Sequence, residues 1–105
     1  MAHRFTIGVE EEFQIIDPDT LELRSHVVQL LSAAARGLGD QVKGEMHQSI
    51  VETGTKICEN VSELRLEIHR TRSELVSAAE STGLHVAAAG THPFSSWKDQ
   101  VISPG

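Results

Sequence analysis

Apolar and polar residues alternate along the first part of the chain. Phe5, Ile7, Val9, Glu11, Phe13 and Ile15 fall on one side of an extended chain; Thr6, Gly8, Glu10, Glu12, Gln14 and Ile16 fall on the other. The pattern predicts a strand over residues 5–16 with one face on a core. Asp17-Pro18-Asp19 reads as a turn, since proline presets the turn dihedral and aspartate can bond nearby backbone. Thr20–Arg24 reads as a short returning strand. Ser25 has the character of an N-cap, Val27, Leu30, Leu31 and Ala34 follow at helical spacing, and Gly37 reads as a C-cap.

After a Gly37–Asp40 loop, a second extended stretch is expected from about Val42 to Ile57. Gly44 and Gly54 mark bends or bulges in it. Asn60 and Glu63 have capping-box spacing, and Val61, Leu64, Ile68, Leu75 and Ala79 form an apolar stripe behind them. A helix over residues 61–82 is therefore expected, ended by Gly83. Its Glu63, Arg65, Glu67, Arg70, Arg72 and Glu74 read as a solvated face. Leu84–Ala89 is a short apolar run of the kind found in buried strands. The alternation predicts an α+β fold: a mainly antiparallel sheet with both helices on one face, the strands at 5–16 and 45–55 adjacent, and the strand at 84–90 in the same sheet.

Composition narrows the partners. The 105 residues suit one small domain, 1–105, and a net charge of −6 disfavours nucleic acid. Cations or cationic complexes fit better. The one cysteine, Cys58, allows no internal disulfide and reads as a small buried hydrophobe. No apolar stretch approaches a membrane span, and the N-terminus lacks a signal peptide's apolar run, so a cytoplasmic protein is expected.

The candidate chemistry lies in the carboxylates. Glu10, Glu11 and Glu12 interrupt the first strand, and the second extended stretch adds Glu45 and Glu52. Two unit charges about 4 Å apart repel by roughly 4 kcal/mol at an effective dielectric of ~20. A cluster therefore needs protons, cationic side chains or a divalent metal. Oxygen ligands without cysteine select Mg²⁺, Mn²⁺ or Ca²⁺ over zinc. A solvated face remains the alternative for Glu10 and Glu12. Glu45 and Glu52 are seven apart, so an unbroken strand points them to opposite faces unless a bulge intervenes.

GVEEEF near the N-terminus, EMHQSIVET in the middle and AAAGTHPFSSW near the end, taken in that order, resemble the start of the carboxylate-amine ligases of the glutamate–cysteine ligase 2 type, which are similar in fold to glutamine synthetase. The resemblance covers essentially all of the chain. It implies ATP-dependent ligation through an acyl-phosphate, with ATP as substrate and Mg²⁺ or Mn²⁺ held by acidic side chains on the sheet. By position in the motifs, Glu10, Glu12, Glu45 and Glu52 match the metal ligands, and Glu11 does not. The resemblance places His92 at the border of the substrate pocket, with a structural turn residue beside proline as the alternative; Thr53 is a candidate substrate or nucleotide contact, with a plain strand-ending turn as its alternative. Family members are several times longer, so the chain would supply one wall of a site within a larger catalytic domain. Small-molecule substrates, an amino-acid carboxylate and an amine, are the implied partners, and an unpaired sheet edge predicts a homo-oligomer. Two other readings remain: a non-catalytic metal-binding or assembly module, and a half-enzyme that needs a partner chain.

Overall fold

The computed structural model describes residues 5–44 and 49–88. Among the described residues, four strands and two helices follow in the order β1 Glu10–Ile16, α1 Val27–Leu38, β2 Val42–Gly44, β3 Ile50–Gly54, α2 Val61–Ser81 and β4 His85–Ala87, with one 3₁₀ turn, Gly39–Gln41, between α1 and β2. The strands lie side by side as β2-β3-β1-β4 and every neighbouring pair is antiparallel. The expected α+β architecture is present.

One core joins both helices to one face of the sheet. Phe13 and Ile15 of β1, Val42 of β2 and Val51 of β3 meet Val27, Leu30, Ala34 and Leu38 of α1 and Leu75, Ala78 and Ala79 of α2. The buried positions of α1 recur at helical spacing, which is why this stretch folds as a helix with one apolar side. Hydrophobic burial, about 25 cal/mol per Å² of apolar surface, is the main force holding the layers together.

Several boundaries differ from the sequence reading. The strand expected over residues 5–16 is regular only from Glu10. Ahead of it, Ile7 makes a single bridge with Cys58, each backbone N–H bonding the other's carbonyl. The returning strand at Thr20–Arg24 is one bridge, Leu23 to Ile16. The turn before it holds as expected: Asp17 Oδ1 accepts from the backbone of Asp19 and Thr20, and Oδ2 accepts from the Arg24 guanidinium. The residue flanking the start of α1 is His26, not Ser25, and its side chain makes no capping bond. Gly39, not Gly37, closes the helix, because it carries the positive φ of 55° that a glycine adopts without strain. Gly37 lies against the exposed Glu74 side chain, whose carboxylate a Cβ there would push aside.

The long extended stretch becomes β2 and β3, with residues 45–48 outside the described residues. The N-cap of α2 forms at the expected residue, with Asn60 Oδ1 accepting from the Glu63 backbone, while Glu63 Oε2 accepts from the backbone N–H of Glu59, one residue before the Asn60 N–H that a capping box uses. Its apolar stripe is only half used. Leu75 and Ala79 are buried, whereas Leu64 and Ile68 are half-buried and Val61 is exposed. The sheet and α1 cover the second half of the helix and not the first. β4 is also less buried than its apolar sequence suggests, with Val86 and Ala87 half-buried and His85 exposed, because it is the outermost strand on the β1 side of the described sheet.

Candidate functional site: the carboxylate face of the sheet

The pairing register decides which carboxylates meet. β1 and β3 align Glu10 with Gly54, Glu12 with Glu52 and Gln14 with Ile50. Residues directly opposite on neighbouring strands project to the same face. Glu12 and Glu52 therefore stand side by side, with Glu10 one step along β1 on the same face. Ile15 N donates to Ser49 O and Thr55 N donates to Val9 O. Odd-numbered β1 residues thus make the hydrogen-bonded pairs, and Glu12–Glu52 is a non-hydrogen-bonded pair. In that class the two Cα atoms approach to about 4.5 Å and the side chains are closest.

On the other side of β3, Lys43 of β2 aligns with Glu52. One row across three strands thus reads Lys43, Glu52, Glu12. The Lys43 ammonium lies 3.9 Å from Glu52 Oε2; the lysine side chain is 66% exposed and that of Glu52 12%. A shallow depression beside the row is lined by Glu10, Asp40, Gln41, Lys43, Glu52 and Thr55.

Glu11 goes the other way. Alternation places it on the helix side, where it accepts two bonds from Arg72 of α2, at 2.9 and 2.6 Å. The sequence reading assigned Glu11 to the core face without a partner. Arg72, sixty-one residues away, is that partner, so Arg72 is not part of a merely solvated face.

Glu67 and Arg70 depart from the solvated reading more strongly. Glu67 Oε2 accepts from the Lys56 backbone at 2.8 Å and from Gln41 Nε2 at 3.0 Å, and Oε1 accepts from Arg70 Nε at 2.7 Å. Gln41 Nε2 also donates to Gly54 O, and Arg70 donates to Gln41 Oε1 and to Gly37 O. This clasp ties the 3₁₀ turn, the end of β3 and α2 together at the rim of the depression. The Arg70 guanidinium, helped by the Lys56 and Gln41 donors, holds the Glu67 carboxyl down to about 2 against the opposing effect of desolvation. The (i, i+3) spacing of Glu67 and Arg70 was the available sequence signal. Gln41 and Lys43 gave none, because their roles depend on the register.

The remaining sequence candidates fall in three places. Thr53 is buried on the helix side, in a row with Glu11 and Val42, and borders the depression. Glu45 and His92, with the milder suspicion on His47, lie outside the described residues. Cys58 is buried, its thiol donates to Lys56 O, and desolvation pushes its pKa up, as suits an inert hydrophobe. Among the described residues, no three His, Cys, Asp or Glu side chains converge closely enough to hold a metal ion by themselves. Glu10, Glu12 and Glu52 nonetheless form a set of hard oxygen donors on one face, the right kind for Mg²⁺ or Mn²⁺. Among the described residues, no helix is long and apolar enough to cross a membrane.

The family model for glutamate–cysteine ligase family 2 matches residues 6–104. The chain belongs to this family. It is 58% identical over 100 residues to a Herpetosiphon aurantiacus protein named "Putative glutamate--cysteine ligase 2", a match covering 95% of this chain and 26% of the relative. A Chloroflexus aurantiacus protein of the same name is 54% identical over 100 residues, with the same coverage. One from Sorangium cellulosum is 48% identical over 104 residues, covering 97% of this chain and 28% of the relative. The chain thus spans about a quarter of the length of the curated relatives it matches.

Proposed function

We propose that this chain forms one wall of the catalytic site of an ATP-dependent carboxylate-amine ligase, of the glutamate–cysteine type, within a glutamine synthetase-like catalytic domain. The observation that carries the reading is the side-by-side placement of Glu12 and Glu52, with Glu10 beside them, in a chain that belongs to this ligase family. Three carboxylates on one sheet face offer hard oxygen donors of the kind a divalent cation takes. Glu10, Glu12 and Glu52 would hold the ion, and Glu45 completes the expected set. Such an ion would supply charge neutralisation for the phosphate oxygens of ATP.

The chain's own residues do the rest by position. β1 and β3 present the carboxylates from a rigid sheet, and the core beneath fixes the strand spacing. Glu11, bonded to Arg72, anchors β1 from behind. The Glu67 clasp fixes the Gly54–Lys56 end of β3 at the rim. His92 and Thr53 are proposed to border the substrate pocket. The protein is proposed to be cytoplasmic and a homo-oligomer, with amino-acid substrates.

The test is an assay of the natural product that contains this chain, with ATP, glutamate, cysteine and Mg²⁺. Phosphate release that requires both amino acids and the metal is expected. Phosphate release independent of either amino acid, or no turnover with any amine offered, would overturn the reading.

A further inference from the structure

Two glycines lie in the described strands, Gly44 in β2 and Gly54 in β3. Glycine weakens a strand, because it loses the most conformational freedom on folding and offers no side chain to pack. At Gly44 the fold supplies the reason: a Cβ there would lie 3.3 Å from Val27 Cγ2 and 3.4 Å from Leu31 Cδ1 of α1. At Gly54 it does not. Among the described glycines only Gly39 and Gly83 take the left-handed region. The β1–β3 ladder runs to the Glu10–Gly54 pair without a bulge. A Cβ at position 54 would meet nothing within 4 Å. Close approach of an outside group is the remaining use of a strand glycine.

The open space belongs to the depression. Position 54 shares a face with Glu10 and Glu52, and Gly54 lines the depression of about 260 Å³ with them, Asp40, Gln41 and Lys43. That volume is below the roughly 300–1,000 Å³ of a whole small-molecule pocket, so it suits one group of a ligand. The lining is polar, so that group is polar too. The backbone beside the gap is held on both sides. Gln41 Nε2 donates to Gly54 O at 3.0 Å. Thr55 N donates to Val9 O, and Thr55 Oγ1 accepts from Val9 N, each at 2.9 Å. We propose that Gly54 is a specificity-determining residue: its missing side chain keeps open a seat, beside Glu10 and Glu52, for a polar group of one of the small-molecule substrates. The inference rests on the ligase reading above and adds to it the residue that sets how large a group the seat accepts.

The experiment compares the natural product containing this chain with its Gly54→Ala and Gly54→Val variants. Thermal melting without ligand comes first, then steady-state kinetics with Mg²⁺, varying ATP, glutamate and cysteine in turn. Both variants should melt at or above the parent temperature, since a strand glycine is replaced and the added atoms meet no neighbour. Gly54→Ala should raise KM for one substrate about threefold to tenfold, and Gly54→Val about tenfold or more, with KM for the others nearly unchanged. The same substrate, added alone, should raise the melting temperature of the parent more than that of Gly54→Val. Unchanged KM for all three substrates in both variants would overturn the inference and leave the ligase reading standing. A lowered melting temperature with unchanged KM would show that polypeptide fills the gap, and would overturn it too. If the parent releases no phosphate with these substrates, the ligase reading falls. The inference falls with it if ATP, glutamate and cysteine each shift the melting of parent and Gly54→Val alike.

Discussion

The two faces of the sheet put the same kind of residue to opposite uses. On the helix side, the one carboxylate of β1, Glu11, is enclosed to 17% exposure and bonded at both oxygens by Arg72. On the other side, Glu12 and Glu52 stand opposite each other, with one exposed lysine 3.9 Å from Glu52. The first arrangement fixes a charge within the fold. The second leaves like charges adjacent, as a site for an external cation requires. Adjacent residues of one strand thus divide between holding the fold and forming the candidate site.

The largest effect expected on the helix side is from Ile15→Ala. Ile15 is fully buried at the centre of the core, and such a truncation costs about 2–5 kcal/mol of stability. Chemical denaturation should show the loss directly. An unchanged midpoint would mean that the helix-covered face is not what holds the sheet.

On the other face, Glu12→Gln and Glu52→Gln should each lower kcat about a hundredfold or more, as expected when several kcal/mol of metal-ion stabilisation is lost. High Mn²⁺ should recover part of it. Without metal, both variants should melt slightly higher than the parent, since a like-charge contact has been removed. Glu11→Gln should leave the Mn²⁺ midpoint of activity where it was. An equal shift in all three variants would erase the distinction between the faces.

Acid should weaken the clasp. Glu67 titrates at about 2 in the fold, below the ordinary carboxylate value of 4.5, so its contribution is present above about 4.5 and is lost as pH falls from there through 2. Glu67→Gln should cost about 1–3 kcal/mol near neutral pH and flatten that part of the stability–pH curve. A curve of unchanged slope would show that the clasp does not carry the charge-dependent stability assigned to it. The smallest effect belongs to the Glu11–Arg72 pair. Arg72 is 56% exposed, so a double-mutant cycle should give about 0.2–1 kcal/mol, weakening with salt.

Much of the fold was legible because it rests on local periodicity. Period-two alternation assigned Glu10 and Glu12 to one face and Glu11, Phe13 and Ile15 to the other, and the sheet keeps that division. Helical spacing and the Asn60–Glu63 capping box located α1 and α2 to within a few residues. Local pattern overstated the extent of β1 and the burial of α2, because both depend on what happens to lie above them. Val61 and Leu66 have the same apolar character as Leu75, yet they are exposed at the uncovered end of the helix.

The sequence by itself determined the kinds of residue available, the side of the strand each takes, and membership in a ligase family. Those follow from chemistry and spacing along the chain. Only the tertiary structure decided the pairs: Glu12 against Glu52, Lys43 against Glu52, Glu11 against Arg72, and Glu67 with Gln41 and the Lys56 backbone. Each pair joins residues from different elements, and its existence depends on strand register and helix docking. A one-residue slip of register would turn Glu52 away from Glu12 and toward the core. Burial of Val51 and Phe13 opposes that slip, so the core that holds the sheet together also aligns the carboxylates on its outer face.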